Sequence, residues 1–132
     1  MSVLTPGLSA ELSIIVSEAD TASRWGSGLV PVYSTPALVG LMEAAAVKVL
    51  DGQLEIGQTT VGGHIDVHHL AATPVGMSVR ASAVLTSIEG RKLSFQIEAW
   101  DDVEKIGEAL HERFLIDTEK FVSRASKKQK RI

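Results

Sequence analysis

A chain of 132 residues, 45% apolar and 22% charged, is one globular domain: too apolar for disorder and too short for a second catalytic domain. With no cysteine, disulfides, thiol nucleophiles and cysteine-ligated metal centres are excluded, and stability must come from packing. Apolar stretches are short, as at 38–42, against the roughly 18 residues that span a bilayer. Met1-Ser-Val-Leu-Thr-Pro-Gly lacks the basic start and apolar run of a secretory signal, so a cytoplasmic protein without a membrane segment is expected.

Charge divides the chain. Residues 1–123 carry 8 basic and 16 acidic side chains, while five of the thirteen basic residues lie in the last nine positions. A body of net charge −8 is a poor match for a phosphate backbone, so nucleic acid is not an expected partner. The reading is one domain over 1–123 and a basic tail over 124–132. The tail, Lys127-Lys-Gln-Lys-Arg131, has no interleaved aromatics on which bases could stack. It is either a solvated tail or a mobile cation cluster beside an anionic ligand.

In chain order, residues 8–17 alternate as a half-buried strand. Residues 18–33, with Gly26-Ser-Gly28 and Pro31, break the pattern and predict a loop with a short helical turn. Trp25 and Tyr33 within it read as packing residues rather than as a lid. Residues 34–52 predict a helix of about four turns, with Ser or Thr at its start, Pro36 in the first turn, an Ala-rich body and a glycine stop. Only Glu43 and Lys48 are charged before Asp51, so this helix is buried on most sides. Strands follow at 59–72, 77–88, 93–100 and 105–116, then a short helix at 118–125. The connections at 89–91 and 101–104 suit antiparallel hairpins, and the strands are expected to pair in order. One strand, one buried helix and a run of antiparallel strands is an α+β layout, in the order of the hotdog fold: an antiparallel sheet wrapped around one long central helix.

Several residues could carry chemistry. Glu43 has Val39, Gly40, Ala46 and Val47 at its salt-bridge spacings, so no helix neighbour neutralises it. It is either a rim glutamate facing solvent or an interior carboxylate retained for proton transfer, with a raised pKa. In Val61-Gly-Gly-His-Ile-Asp-Val-His-His, alternation puts Ile65, Val67 and His69 on the helix-facing side. His69 is then either a core histidine bonded to a backbone carbonyl or a general base. His64, Asp66 and His68 share the opposite face with metal-ligand chemistry. A straight strand spaces them about 6.6 Å apart, which argues for a solvated face or a subunit contact over a metal site. Thr35 either caps the helix or offers a hydroxyl beside its positive end, where a carbonyl gaining charge would be stabilised. Gly62-Gly63 marks a bulge or lets a backbone N–H approach a ligand. Neither a phosphate-binding glycine loop nor a G-x-S-x-G nucleophile elbow is present.

Taken together, Val39-Gly-Leu-Met-Glu-Ala-Ala, Val67-His-His-Leu-Ala-Ala-Thr-Pro-Val-Gly76, Ser87-Ile-Glu-Gly-Arg-Lys-Leu-Ser94, His111-Glu-Arg113 and Glu119-Lys-Phe121 resemble the hotdog-fold thioesterases of the fluoroacetyl-CoA thioesterase type over most of the chain. The resemblance implies hydrolysis of a short acyl-CoA by a homodimer without a metal or redox cofactor. It carries that family's threonine, glutamate and histidine onto Thr35, Glu43 and His69, and its substrate-approaching glycine onto Gly62. The CoA phosphates would meet Arg91, Lys92 or the basic tail. The family's characterised enzyme has a longer, phenylalanine-bearing lid before the helix. Residues 20–32 are short and lack phenylalanine, so the resemblance leaves the acyl group open. A non-catalytic acyl-CoA-binding protein is the rival reading, and an enoyl-CoA hydratase a third.

One geometric constraint follows. Eight residues of helix rise about 12 Å, so Thr35 and Glu43 cannot both touch one small reacting group from a straight helix. Either Thr35 precedes the helical turns and folds back, or a second subunit supplies one group, or Glu43 acts through His69 or a water.

Overall fold

The computed structural model describes residues 4–132. Its strands are β1 (Ser9–Ile15), β2 (Gln58–His69), β3 (Ser78–Glu89), β4 (Lys92–Trp100) and β5 (Lys105–Asp117), with helices α1 (Ala22–Trp25), α2 (Thr35–Val49) and α3 (Thr118–Ser126). Each lies close to its expected position. Helix α2 starts where its chemistry dictates: the Ser34 side chain accepts a hydrogen bond from the Ala37 N–H, Pro36 sits in the first turn, and Gly52 lies just past the end at φ 73°. An accepting serine at the cap and a glycine in the left-handed region are the ordinary start and stop of a helix.

The five strands form one antiparallel sheet in the order β1-β3-β4-β5-β2. Pairing in chain order holds for β3–β4 and β4–β5, which short turns join. It fails for β2, which pairs with β5 instead of β3. The connection over 70–77 is too long for a hairpin. It first crosses the start of α2, where Tyr33 N bonds Thr73 O at 2.8 Å and Val32 bridges Pro74. Residues 58–69 are thereby delivered to the far edge of the sheet.

Helix α2 buries Leu38, Leu41, Met42, Ala45, Ala46 and Val49 against the inward side chains of the sheet, among them Val79, Ala81, Ala83 and Leu85 of β3 and Leu93, Phe95, Ile97 and Ala99 of β4. The alanines on both surfaces let helix and sheet approach closely, and burial of the larger residues supplies the stabilisation, about 1.5–3 kcal/mol for each Leu, Ile or Phe. Along β5 the inward face changes character, running from Ile106 and Ala109 to His111 and Arg113, all buried. Strand β2 ends the sheet with twelve residues. Among the described residues, no helix is long and apolar enough to cross a membrane.

Candidate active site

The first half of the site lies at the start of α2. Thr35 is its first residue, and Ser34 does the capping. Of the two roles open to Thr35, capping falls to Ser34, and the Thr35 hydroxyl is free of the helix and lies 2.8 Å from His69 Nδ1 at the end of β2. Burial pushes the His69 imidazole below the ordinary histidine range, offset in part by the Ala71 backbone, so it is neutral at pH 7. Its Nε2 is buried without a hydrogen-bond partner. Buried polar atoms are nearly always satisfied, and an orphan on a neutral imidazole is a base or donor in want of a ligand.

Thr35 and His69 border a cleft of about 380 Å³ whose far wall is Ala22, Gly28, Val30 and Val32. The 22–32 segment thus lines one side of the site. It is held by the Ala22 N to Val32 O bond of 2.9 Å and by Ser34 N to Asp20 O at 2.9 Å. Tyr33 packs as expected, 2% exposed, with its hydroxyl donating to Ala37 O at 3.2 Å. Trp25 does not: it is 54% exposed, because α1 is one turn lying over the cleft wall rather than over the core.

The second half lies further along α2. Glu43 Oε2 is 3.5 Å from Arg113 Nη1, with the glutamate side chain 40% exposed and the arginine 8% exposed. Glu43 therefore sits at a rim and faces a buried cation. The cation is 70 residues away in sequence, out of reach of any helix-spacing argument. Arg113 also donates from Nε to Thr60 Oγ1 at 2.9 Å, from Nη2 to Thr60 O at 3.1 Å and from Nη1 to His111 Nε2 at 3.2 Å. The last bond fixes the His111 tautomer, because an acceptor at Nε2 leaves the proton on Nδ1, which donates to His64 O at 2.8 Å. Burial first, and Arg113 second among the lowering influences, hold His111 below the ordinary histidine range. Burial likewise lowers Arg113, against Glu43, but a guanidinium stays charged regardless.

Gly62 belongs to this second half. A Cβ there would stand 2.9 Å from Glu43 Oε2 and 3.3 Å from Arg113 Nη1, so glycine is what lets β2 pass the ion pair. The register shifts between Gly62 and His64, as a bulge requires. Gly63 serves packing, since its Cβ would lie 2.3 Å from the Phe114 ring. His64, Asp66 and His68 run along the outer face, with His68 Nε2 3.6 Å from Asp66 Oδ1. Among the described residues, no three His, Asp or Glu side chains are grouped to hold a metal ion.

The structure therefore brings Thr35 to His69, and Gly62 to Glu43, as two pairs. Sequence reasoning missed Arg113, His111 and Thr60 as the support of Glu43. A faint signal existed: two polar residues at i and i+2 on the inward face of a strand otherwise apolar on that side.

A long buried helix packed on one antiparallel sheet, with a hydroxyl–imidazole pair at the helix start, has the layout of the hotdog thioesterases. The family profile described as fluoroacetyl-CoA-specific thioesterase matches residues 16–119. The chain is 44% identical over 97 residues to the fluoroacetyl-CoA thioesterase of Streptantibioticus cattleyicolor, covering 74% of this chain and 70% of that protein. A solved structure of the fluoroacetyl-CoA thioesterase superposes with a TM-score of 0.91 at 34% identity, covering 96% of this chain and 98% of that one. A variant of that enzyme has been solved with fluoroacetate and CoA. A thioesterase superfamily member from Thermus thermophilus superposes with a TM-score of 0.91 at 28% identity, covering 99% and 97%. The chain belongs to the fluoroacetyl-CoA-specific thioesterase family.

Proposed function

We propose that the protein is a cytoplasmic, homodimeric acyl-CoA thioesterase that hydrolyses a short or small acyl thioester to the free acid and CoA, with Thr35, Glu43 and His69 as its catalytic residues. The observation that carries the reading is the Thr35–His69 pair, 2.8 Å apart beside a cleft, with His69 Nε2 buried and unpartnered. With the proton on Nδ1, the imidazole donates to Thr35 Oγ1. That frees the threonine hydroxyl to donate to the thioester oxygen as it gains negative charge, and leaves Nε2 as the acceptor for a proton. Glu43 activates the attacking water together with His69, or attacks the acyl carbon itself. Collapse of the tetrahedral intermediate expels the thiolate, with the Gly62 backbone helping to steady the oxygen. In the water route the thiolate takes the water's proton back from Nε2. In the covalent route it leaves an acyl–Glu43 anhydride, which a water that gives its proton to Nε2 then cleaves to the free acid, that proton passing on to the thiolate.

The two-pair geometry supports the dimer. Thr35 is the first helical residue, so folding back is not available to it. The roughly 12 Å between it and Glu43 is closed if Glu43 and Gly62 come from a second copy. Strand β2 has a free edge of twelve residues, which a natural protein covers or pairs. Antiparallel pairing of two such edges about a two-fold axis brings the His69 end of one β2 alongside the Gly62 region of the other.

The test is release of free CoA from a panel of acyl-CoAs, short to long and including fluoroacetyl-CoA, with His69→Ala beside the wild type. Turnover that falls about 100- to 10,000-fold in the variant supports the reading. CoA esters that bind without turnover overturn it in favour of a binding protein.

A further inference from the structure

The Thr35–His69 bond joins side chains 34 residues apart in sequence, and neither is packed into the core: Thr35 is exposed and His69 half-buried. Their separation is therefore set by the backbone that carries them. His69 ends β2, and just beyond it Leu70 N bonds Ile106 O at 2.7 Å. The chain then passes Ala71 and Ala72 in the cleft wall. It meets the segment leading into α2 at Thr73, whose carbonyl accepts the Tyr33 N–H at 2.8 Å. That contact falls shortly after His69 and shortly before Thr35, so its placement governs how the two side chains face each other.

Thr73 is itself pinned. Its side chain is fully buried, at 0% exposed, and its hydroxyl donates to Asp101 Oδ2 at 2.9 Å. Asp101 opens the β4–β5 turn, where its other oxygen accepts the Val103 N–H at 2.8 Å and the Glu104 N–H at 2.9 Å. Partial burial raises the Asp101 pKa, but the three donors outweigh it and hold the carboxyl below the usual carboxylate range. It is therefore an anion at neutral pH and a strong acceptor. The turn itself uses only one of its oxygens. The other is aimed at a residue 28 positions earlier, and a hydroxyl is tolerated in that dry setting because this partner is there. A connection that only had to fill space would be served by Val at 73, which has the same shape and no hydroxyl to satisfy.

We propose that Thr73 and Asp101 are positioning residues for the reaction. The Asp101 carboxylate holds the Thr73 hydroxyl, which places the Thr73 carbonyl for the Tyr33 N–H and so sets the Thr35 hydroxyl at hydrogen-bonding distance from His69 Nδ1. A working pair is held to its geometry by supporting hydrogen bonds of this kind. The kinetic consequence rests on the thioesterase reading, whereas the geometric one does not. Neither Thr73 nor Asp101 lines the cleft, so the effect falls on kcat and leaves substrate binding almost untouched.

The experiment compares two substitutions in the full-length protein that remove opposite parts of Thr73. Thr73→Val keeps the shape and loses the hydroxyl, and Thr73→Ser keeps the hydroxyl and loses a methyl. Each is assayed well below its own melting temperature, so that lost stability alone leaves kcat unchanged. On an acyl-CoA that the wild type hydrolyses, kcat should fall about 10- to 100-fold in Thr73→Val with KM within about twofold, as a displacement of about 1 Å at a reacting group produces. Thr73→Ser should stay within about threefold of the wild type. Wild-type kcat in Thr73→Val, or an equal loss in Thr73→Ser, overturns the proposal. Combining Thr73→Val with Asp101→Ala should cost no more than Asp101→Ala alone, because both break one bond; additive losses overturn it too. A second readout needs no turnover. In ring-nitrogen NMR spectra of the four histidines, with His69 assigned as the signal missing from His69→Ala, the His69 nitrogens should shift in Thr73→Val and keep their wild-type positions in Thr73→Ser. Unmoved nitrogens in Thr73→Val refute the proposal. If the wild type hydrolyses no acyl-CoA, the thioesterase reading fails on its own, and the spectra alone decide whether Thr73 holds the pair.

Discussion

The two ends of the candidate site differ in how completely the fold satisfies them. At the start of α2, Thr35 and His69 form a single neutral hydrogen bond beside an open cleft, and one imidazole nitrogen is left over. Two turns later, Glu43 meets a guanidinium that also donates three hydrogen bonds to Thr60 and His111. The first pair is poised to take up a ligand, whereas the second is a held charge. An interior can carry an ion pair only when its remaining donors and acceptors are satisfied, which is why the glutamate comes with three supporting residues and the histidine with one. The helix keeps the two pairs about 12 Å apart, too far for both to reach one small reacting group from the same chain.

The sharpest way to break that comparison is to separate the halves genetically. His69→Ala and Glu43→Gln should each abolish most turnover. If the site is shared between protomers, unfolding and refolding an equal mixture of the two variants should restore about a quarter of wild-type activity, because half of the dimers then carry one intact site of two. If each site lies within one chain, every site in every dimer keeps one lesion and the mixture stays as inactive as its components. CoA release after refolding, set against each variant refolded alone, decides between them.

A smaller effect is expected at the support of Glu43. Arg113→Met keeps the volume but leaves Thr60 and His111 without their donor and Glu43 without its cation. Stability should drop by about 1–3 kcal/mol, seen as a lower midpoint in urea. Turnover should fall with KM changing little, since Arg113 holds the carboxylate rather than the substrate. If Arg113→Met turned over substrate like the wild type, the ion pair would be structural only and Glu43 would owe nothing to it.

How much of this could be read from the chain depends on the range of each interaction. Ser34, Pro36 and Gly52 announce the limits of α2 within a few residues of themselves, and alternation over residues 64–69 correctly turns His69 towards the helix. What failed was long-range. The partner of β2 depends on where the 70–77 connection crosses, and the partner of Glu43 lies on β5. The choice between Ser34 and Thr35 as the cap, which the sequence leaves open, turns on a one-residue phase that hydroxyl chemistry alone does not resolve. Trp25 read as packing because large aromatics usually are; the single turn of α1 leaves it outside.

The imidazoles give a pH test that distinguishes the halves. Both His69 and His111 are held below the ordinary value of 6.5, mainly by burial. The unfolded chain therefore takes up protons that the folded chain refuses. Stability contributed by these groups is full above pH 6.5 and is lost as pH falls through that value towards the folded-state pKa values. Thermal melts between pH 8 and pH 5 should show Tm falling with acidity, and His111→Gln should flatten that slope without moving the acid limb of kcat/KM. That limb should follow His69, whose neutral form is the one able to accept a proton. A limb that shifted in His111→Gln would instead place the working base in the Glu43 half.

The smallest effect is expected on the outer face of the same strand. His64 and His68 share β2 with His69, yet His68 lies 3.6 Å from Asp66 and opposite Glu108 of β5 in a solvated setting, and exposed ion pairs of this kind contribute under about 1 kcal/mol. His68→Ala should leave turnover and Tm within error of the wild type, and His64→Ala should do the same because it is the His64 backbone carbonyl, not the ring, that receives His111. Three histidines within six residues then differ in consequence by orders of magnitude, for a reason visible in the strand itself. Alternation sends one ring under the helix beside Thr35 and two into water. A loss of activity in His68→Ala would mean that the outer face of β2 contributes to the site.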